Sequence, residues 1–202
     1  MVSARLSPGR ARRGAGFTLV EILIVVSIIS LLAGLVLVGV QRARLHASRA
    51  IAKATVGDWS NAIGRYVQDE GKYPAQGLEP DAERNDFPLL YEALCGERRP
   101  KGPGGRSAPY ITPTEEQILV YDETLGEHRT ATRAERFDND VDKFVADPWG
   151  EPYVYRCNKG HSLADNPFMH KADFDLYSTG ENGTDETMLG ESGEDVDDIG
   201  NW

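Results

Sequence analysis

The chain has 202 residues, of which 40% are hydrophobic and 27% charged, with a formal net charge of −10 at pH 7. This length predicts one domain with room for a helical stalk. The charge is uneven: residues 1–53 contain 8 basic residues and 1 acid, whereas residues 54–202 contain 14 basic residues and 31 acids. Because the second part carries a net charge of −17, it repels nucleic acid, and we expect no nucleic-acid partner.

The chain begins with a basic segment followed by an apolar one. Met1–Gly16 contains four arginines and no acid, and Phe17–Val40 then runs for 24 residues with a single charge, Glu21. As a helix rising about 1.5 Å per residue, the apolar segment spans roughly 36 Å, enough to cross a bilayer. An acid inside such a span is costly in lipid and usually has a partner, so Glu21 predicts a nearby cation.

The junction G-A-G/F-T-L-V-E, residues 14–21, resembles the processing site of the type IV pilin superfamily. The resemblance implies that prepilin peptidase cuts after Gly16 and methylates the new amine of Phe17, and that Glu21 pairs with the Phe17 amine of a neighbouring subunit. It also implies a leader at 1–16, a transmembrane and filament-core helix at 17–40, and an exported head at 41–202. The alternative is an ordinary anchor helix whose glutamate reaches the membrane interface.

The orientation of the chain in the membrane follows from the resemblance alone. Arginines lie on both sides of the apolar segment, so the positive-inside rule does not decide it. The family keeps the leader in the cytoplasm and exports the head, which implies a single-pass protein of the bacterial inner membrane with a periplasmic head.

Beyond Val40 the pattern predicts that the helix continues to Glu70. Apolar residues recur at intervals of three, four or seven, which keeps one stripe on one helix face for the head to cover: Leu45, Ala52, Val56, Trp59, Ile63 and Tyr66. Gly71, free to adopt a left-handed cap, and Pro74 then mark the end.

The rest of the head reads as short elements. Asp86-Phe87-Pro88 predicts a helix that closes at Cys95-Gly96, with Asp86 as its cap, and 97–109 predicts a surface loop. Strands are expected at 117–122 and 127–132, joined by a turn, and again at 153–155 and 174–178. Trp149 is expected in the core. The predicted fold is therefore α+β, a long helix packed against a small antiparallel sheet.

Two cysteines, Cys95 and Cys157, leave two alternatives open. In an exported domain they can pair, and closing a loop of about 60 residues would contribute roughly 4 kcal/mol in the chain-entropy model. They can equally remain two separate buried thiols.

The C-terminal segment Ser178–Asp198 holds eight acids and no base in 21 residues, interrupted by four glycines. Such a segment repels itself and stays solvated unless a hard divalent cation, which takes six to eight oxygen ligands, folds it. Ile199 and Trp202 give it an apolar anchor that a solvated tail does not need. Composition alone leaves both interpretations open.

Three motifs of the head resemble the major pseudopilins of type II secretion systems: Y-P…Q-G-L at 73–78, D-P-W-G at 147–150, and L-Y-S-x-G-x-x-G…D-D-I-x-N-W at 176–202. The last motif resembles that family's calcium loop. The resemblance implies carboxylate ligands from Asp197 and Asp198, a side-chain oxygen from Asn182, and the backbone carbonyl of Thr179. Asn182 stands where the family has aspartate, a loss of charge that Asp185 or Asp195 would have to offset.

No G-x-S-x-G, H-E-x-x-H or phosphate-loop motif is present, so we predict a structural subunit and not an enzyme. The resemblance implies polymerisation into a pseudopilus, with minor pseudopilins, prepilin peptidase and an inner-membrane assembly platform as partners. A type IV pilin or minor pilin is the first alternative. The second is a membrane-anchored periplasmic enzyme or cation-binding module that does not polymerise.

Overall fold

A computed structural model describes residues 18–78, 84–96, 108–161, 170–171, 173–189 and 197–202. The chain divides into two units, residues 1–44 and residues 45–202. Helix α1, Leu19–Glu70, contributes residues to both. The predicted continuous helix is therefore confirmed from Leu19 onward, whereas Phe17 and the leader lie outside the described residues.

The described part of the first unit is the apolar half of α1. Among the described residues this is the one helix that is long and apolar enough to cross a membrane, with a mean hydropathy of 3.0 over its most apolar window and none of that window buried. Thr18 opens the helix, since its hydroxyl accepts a hydrogen bond from the Glu21 amide at 3.2 Å. Glu21 itself is exposed.

In the second unit, one face of α1 is buried, as the periodicity predicts. Five of the six stripe residues are less than 9% exposed, and Leu45 is half-buried: Ala52, Val56, Trp59, Ile63 and Tyr66 form the buried set. Apart from Ala52, they pack in one cluster with residues of the next helix and of both sheets, including Phe87, Leu90, Val145, Tyr155 and Leu176. Gly71 follows the helix with φ of 74°, the left-handed value that favours glycine.

Helix α2, Phe87–Cys95, is confirmed, but its predicted cap is corrected. The Asp86 side chain makes no capping bond and instead pairs with Arg84. The Asn85 side-chain oxygen accepts from the Phe87 amide at 3.0 Å and from the Tyr155 amide at 3.0 Å. Asn85 therefore ties the start of α2 to the edge of a strand.

Two small antiparallel sheets take the place of the single sheet expected. The first has strand order β2-β1-β3, with β1 at Ile118–Asp122, β2 at Glu127–Thr130 and β3 at Phe144–Val145. The predicted hairpin is confirmed, because β1 and β2 pair from Leu119 opposite Thr130 to Asp122 opposite Glu127. Helix α3, Arg133–Phe137, follows β2 and begins with a capping box between Thr132 and Glu135.

The second sheet has strand order β4-β5-β6, with β4 at Val154–Cys157, β5 at Phe174–Ser178 and β6 at Ile199–Gly200. A short helix, α4 at Glu186–Leu189, lies between β5 and β6 in the sequence. Cys95 and Cys157 are both half-buried and are not joined to each other by a disulfide, so of the two alternatives the structure has the separate thiols. The expectation for Trp149 is wrong: it is half-buried and the buried residue of its turn is Asp147.

Candidate metal centre

The acidic C-terminal segment returns to the strand from which it departs. Strand β6 pairs with the end of β5, with Tyr177 opposite Gly200 and Ser178 opposite Ile199. This pairing brings Asp197 and Asp198, just before β6, alongside Thr179 and Gly180, just after β5. Gly180 has φ of 71°, so the chain turns sharply at that point.

Three carboxylates converge in this return. Glu186, at the start of α4, joins Asp197 and Asp198, and one oxygen from each lies within 4.8 Å of the other two. Glu186 is only 4% exposed, and the two aspartates are half-buried. The group combines three formal negative charges in a space the size of one ion's ligand shell.

One oxygen of each carboxylate is held by the loop. Asp197 Oδ2 accepts from the Glu181 amide at 2.7 Å and from the Asn182 amide at 3.2 Å. Asp198 Oδ2 accepts from the Thr187 amide at 2.7 Å, and Glu186 Oε1 accepts from the Asn182 side-chain nitrogen. These bonds fix the orientation of all three side chains.

The second oxygen of each carboxylate has no such partner. Glu186 Oε2, Asp197 Oδ1 and Asp198 Oδ1 are buried, and within the described ranges no hydrogen bond reaches them. Burying an unpaired carboxylate costs free energy, which hydrogen bonds or a cation must offset. Three such oxygens side by side therefore favour a bound cation at this position.

Electrostatics within the cluster support the same conclusion. Burial raises the pKa of Asp198 to about 6, the hydrogen bond with Thr187 opposes that rise, and the negative charges of Asp185 and Glu186 add to it. Burial and the neighbouring acids thus disfavour the charged form of the Asp198 carboxylate. A cation among the three oxygens would favour that form, and hard divalent ions such as Ca²⁺ and Mg²⁺ prefer oxygen ligands of this kind.

The structure brings together four of the residues singled out in the sequence. Asp197 and Asp198 belong to the cluster, and Thr179 is buried next to Gly180, which lies against Asp197. Asn182 directs its side-chain oxygen to the Thr184 amide at 2.6 Å and its nitrogen to Glu186. Its role as a metal ligand stays a prediction, as does that of the Thr179 carbonyl.

Sequence reasoning missed Glu186. It was one of eight acids in the segment, and no spacing distinguished it; only the turn into α4 directs it to the aspartates. Of the two compensating acids considered, Asp185 contacts Arg156 and Tyr177 instead, and Asp195 lies outside the described residues.

The N-terminal site is described in part. Gly16 and Phe17 lie outside the described residues, and Glu21 lies in the first turn of α1 with its side chain exposed. Glu21, which is predicted to pair with the Phe17 amine of a neighbouring subunit, therefore lies on the surface of an apolar helix.

Comparison with known proteins reveals similarity over most of the chain. Residues 11–37 match the prokaryotic N-terminal methylation motif. The chain is 30% identical over 194 residues to the type II secretion system core protein G of Pseudomonas aeruginosa, a match that covers 95% of this chain and 96% of that protein. It is 26% identical to the protein of that name from Aeromonas hydrophila, over 95% of this chain and 94% of that one. The Vibrio cholerae protein of the same name is 31% identical over 115 residues, covering 54% of this chain and 79% of that one.

Proposed function

This chain belongs to the type II secretion system core protein G family and is a pseudopilin structural subunit, and from that premise we propose how its two units serve a filament. The single observation that carries the assignment is 30% identity along 95% of the chain, and the methylation motif at residues 11–37 agrees with it. The proposed role is structural rather than catalytic.

The N-terminal unit undergoes processing and then assembly. Prepilin peptidase removes residues 1–16 by cutting after Gly16 and methylates the amine of Phe17. The segment 17–40 first anchors the subunit in the inner membrane, with the head, 41–202, in the periplasm, and then packs in the filament core. The match at residues 11–37 supports this division, because it spans the cleavage junction and most of the apolar segment.

Glu21 sets the register between subunits. An acid within an apolar span needs a cationic partner, and the methylated amine of Phe17 in a neighbouring copy supplies one. The exposed position of Glu21 on α1 is compatible with a partner outside its own chain.

Calcium completes the C-terminal loop. Glu186, Asp197 and Asp198 supply carboxylate oxygens, and Thr179 and Asn182 are the further ligands that the family resemblance implies. The three buried oxygens that lack partners within the described residues support a hard cation. In the filament, the bound calcium neutralises the most acidic part of the head. Without it, the like charges of neighbouring copies would oppose their contact.

The chain polymerises with copies of itself. Minor pseudopilins and an inner-membrane assembly platform are its further partners, and the filament helps to export proteins across the outer membrane. Nucleic acid is not a partner, because the head is strongly acidic.

The test is to express the full chain in a bacterium that carries prepilin peptidase and an assembly platform. Mass spectrometry should find a mature N-terminus at methylated Phe17, and electron microscopy should find short filaments that contain this chain. Long extracellular pili would favour the type IV pilin alternative. An uncleaved leader together with monomeric behaviour would favour the membrane-anchored module and would overturn the proposal.

A further inference from the structure

A buried arginine lies next to the carboxylate cluster but outside it. The Arg156 side chain, on β4, is 8% exposed. Among the described residues its guanidinium makes three hydrogen bonds: Nη2 to Asp185 Oδ2 at 3.0 Å, Nη1 to the Tyr177 hydroxyl at 2.7 Å, and Nε to the Arg84 carbonyl at 3.2 Å. All three contacts lie within the head.

Arg156, Tyr177 and Asp185 form a closed triangle. The Tyr177 hydroxyl, which accepts from Arg156, donates to the Asp185 carboxylate, with both carboxylate oxygens within 2.9 Å. Strands β4 and β5 carry Arg156 and Tyr177 and pair directly, with Arg156 opposite Asp175 and Val154 opposite Tyr177. Asp185 is therefore attached to the sheet by two side chains, through an ion pair with Arg156 and a hydrogen bond from Tyr177.

The position of Asp185 determines the position of Glu186. Asp185 immediately precedes α4, and Glu186 is the first residue of that helix. When the carboxylate of Asp185 is fixed to the sheet, the backbone at the start of α4 has little freedom. Glu186 then projects toward Asp197 and Asp198 without the need for a cation to gather the loop.

The triangle also decides which acids are available as ligands. Asp185 is the acid nearest to Glu186 in sequence, and its charge acts on Asp198. Because its carboxylate is bound by Arg156 and Tyr177, it lies in an ion pair instead of the cluster. A charge-assisted contact of this kind is short and directional, which suits it to hold a loop in one arrangement.

We propose that Arg156 is a positioning residue for the cation site, and that it acts through Asp185 to place Glu186. The inference rests on the proposed calcium site and adds to it a set of contacts outside the ligand shell. Tyr177 is the second member of the set. Outer-shell partners of metal ligands typically change metal affinity by about 10- to 100-fold when they are replaced.

The test is a calcium titration of the full chain, purified in detergent and freed of metal, with calcium chloride as the ligand and calorimetry as the readout. Arg156→Met should weaken calcium binding by about tenfold or more. Arg129→Met is the matched control, because Arg129 is also an ion-paired arginine on a strand, but it lies in the other sheet and pairs with Asp122 and Glu135. The control should leave the calcium dissociation constant unchanged.

A double-mutant cycle separates positioning from general destabilisation. If Arg156 acts through Glu186, then Arg156→Met should change calcium affinity by only about twofold or less once Glu186→Gln is present. A merely structural role would weaken binding equally in both backgrounds, and that result would overturn the inference.

Tyr177→Phe covers the case in which Arg156→Met does not fold. It removes one hydroxyl from the triangle and should weaken calcium binding by a smaller factor than the arginine variant. If the unmodified chain binds calcium and neither variant alters its affinity, the inference fails while the calcium site stands. If the unmodified chain binds no calcium, the proposed site itself fails.

Discussion

Gly180 and Asp197 lie so close together that no side chain fits between them. A Cβ atom at Gly180 would stand 2.5 Å from Asp197 Cγ and 2.7 Å from its Oδ2. Gly180, two residues after β5, is thus in contact with the carboxylate of Asp197, which belongs to the cluster and lies two residues before β6. This contact joins the two ends of the acidic loop and fixes the space in which the carboxylates meet.

Replacing Gly180 by alanine should therefore disrupt the cluster. Alanine at a positive φ costs about 1–2 kcal/mol, and overpacking against Asp197 typically adds about 1–3 kcal/mol. Gly183→Ala is the matched control, since its φ is 66° but its Cβ would meet Glu151 at an ordinary 3.5 Å. Denaturant unfolding of the metal-free chain should show the larger loss for Gly180→Ala. Equal losses in the two variants would mean that the contact with Asp197 is unimportant.

Asp198 should contribute less to the stability of the metal-free protein as the pH rises through its pKa. Burial raises that pKa from 3.8 to about 6 in the folded protein, so the folded state binds this proton more tightly than the unfolded state does. The favourable contribution is present in full below about pH 4 and is lost as the pH rises through about 6. Denaturant midpoints measured in chelator between pH 4 and 7 test this. The difference between the unmodified chain and Asp198→Asn isolates the contribution of this group, and identical pH profiles would contradict it.

Glu21→Ala should separate membrane insertion from assembly. The variant removes a charge from an apolar helix, so the chain should still insert and be processed, but the partner for the neighbouring Phe17 amine is lost. Ser27→Ala is the control in the same helix, because Ser27 bonds only to the Leu23 carbonyl among the described residues. Filaments counted by electron microscopy should persist in the control and disappear in Glu21→Ala. Normal filaments from Glu21→Ala would refute the register role.

Asn85→Ala should destabilise the head. The Asn85 side chain donates to the Tyr153 carbonyl at 2.9 Å and accepts from the Tyr155 amide at 3.0 Å, so it covers the edge of β4 as a neighbouring strand would. Leaving these backbone groups unpaired should cost about 1–3 kcal/mol. Asn61→Ala, at an exposed position of α1, should change little. Thermal unfolding of both variants in calcium makes the comparison, and similar melting temperatures would argue against the role of Asn85.

The long helix was predictable because its signal is local. The apolar stripe from Ala52 to Tyr66 repeats with the helical period, and Gly71 supplies the stop, so both follow from neighbouring residues. Strand β6 was not predictable, because a two-residue strand has no period and its pairing depends on the distant Tyr177 and Ser178. The prediction for Trp149 was wrong because the buried position in its turn also depends on a contact with a distant residue. Asp147, which accepts from the Ser178 hydroxyl at 2.5 Å, takes the buried position in that turn.

Part of the candidate site was likewise predictable from the sequence, and part was not. Asp197 and Asp198 were identified because they belong to a motif with fixed spacing. Glu186 was not identified, since its approach depends on the return of the chain at β6 and on the hold that Arg156 has on Asp185. Contacts between residues far apart in sequence carry no local pattern, and only the fold reveals them.

The measurement that tests the account most directly is thermal unfolding of the full chain in detergent, with calcium and with chelator. A cation that binds only the folded protein stabilises it by about 2.7 kcal/mol at a hundredfold excess over its dissociation constant. We expect a calcium-dependent rise in melting temperature that is lost in Glu186→Gln and Asp197→Asn. The rise should persist in Glu181→Gln, an exposed acid of the same loop. No rise at millimolar calcium, or an equal rise in all four proteins, would contradict the proposal that the three buried carboxylates form a calcium site.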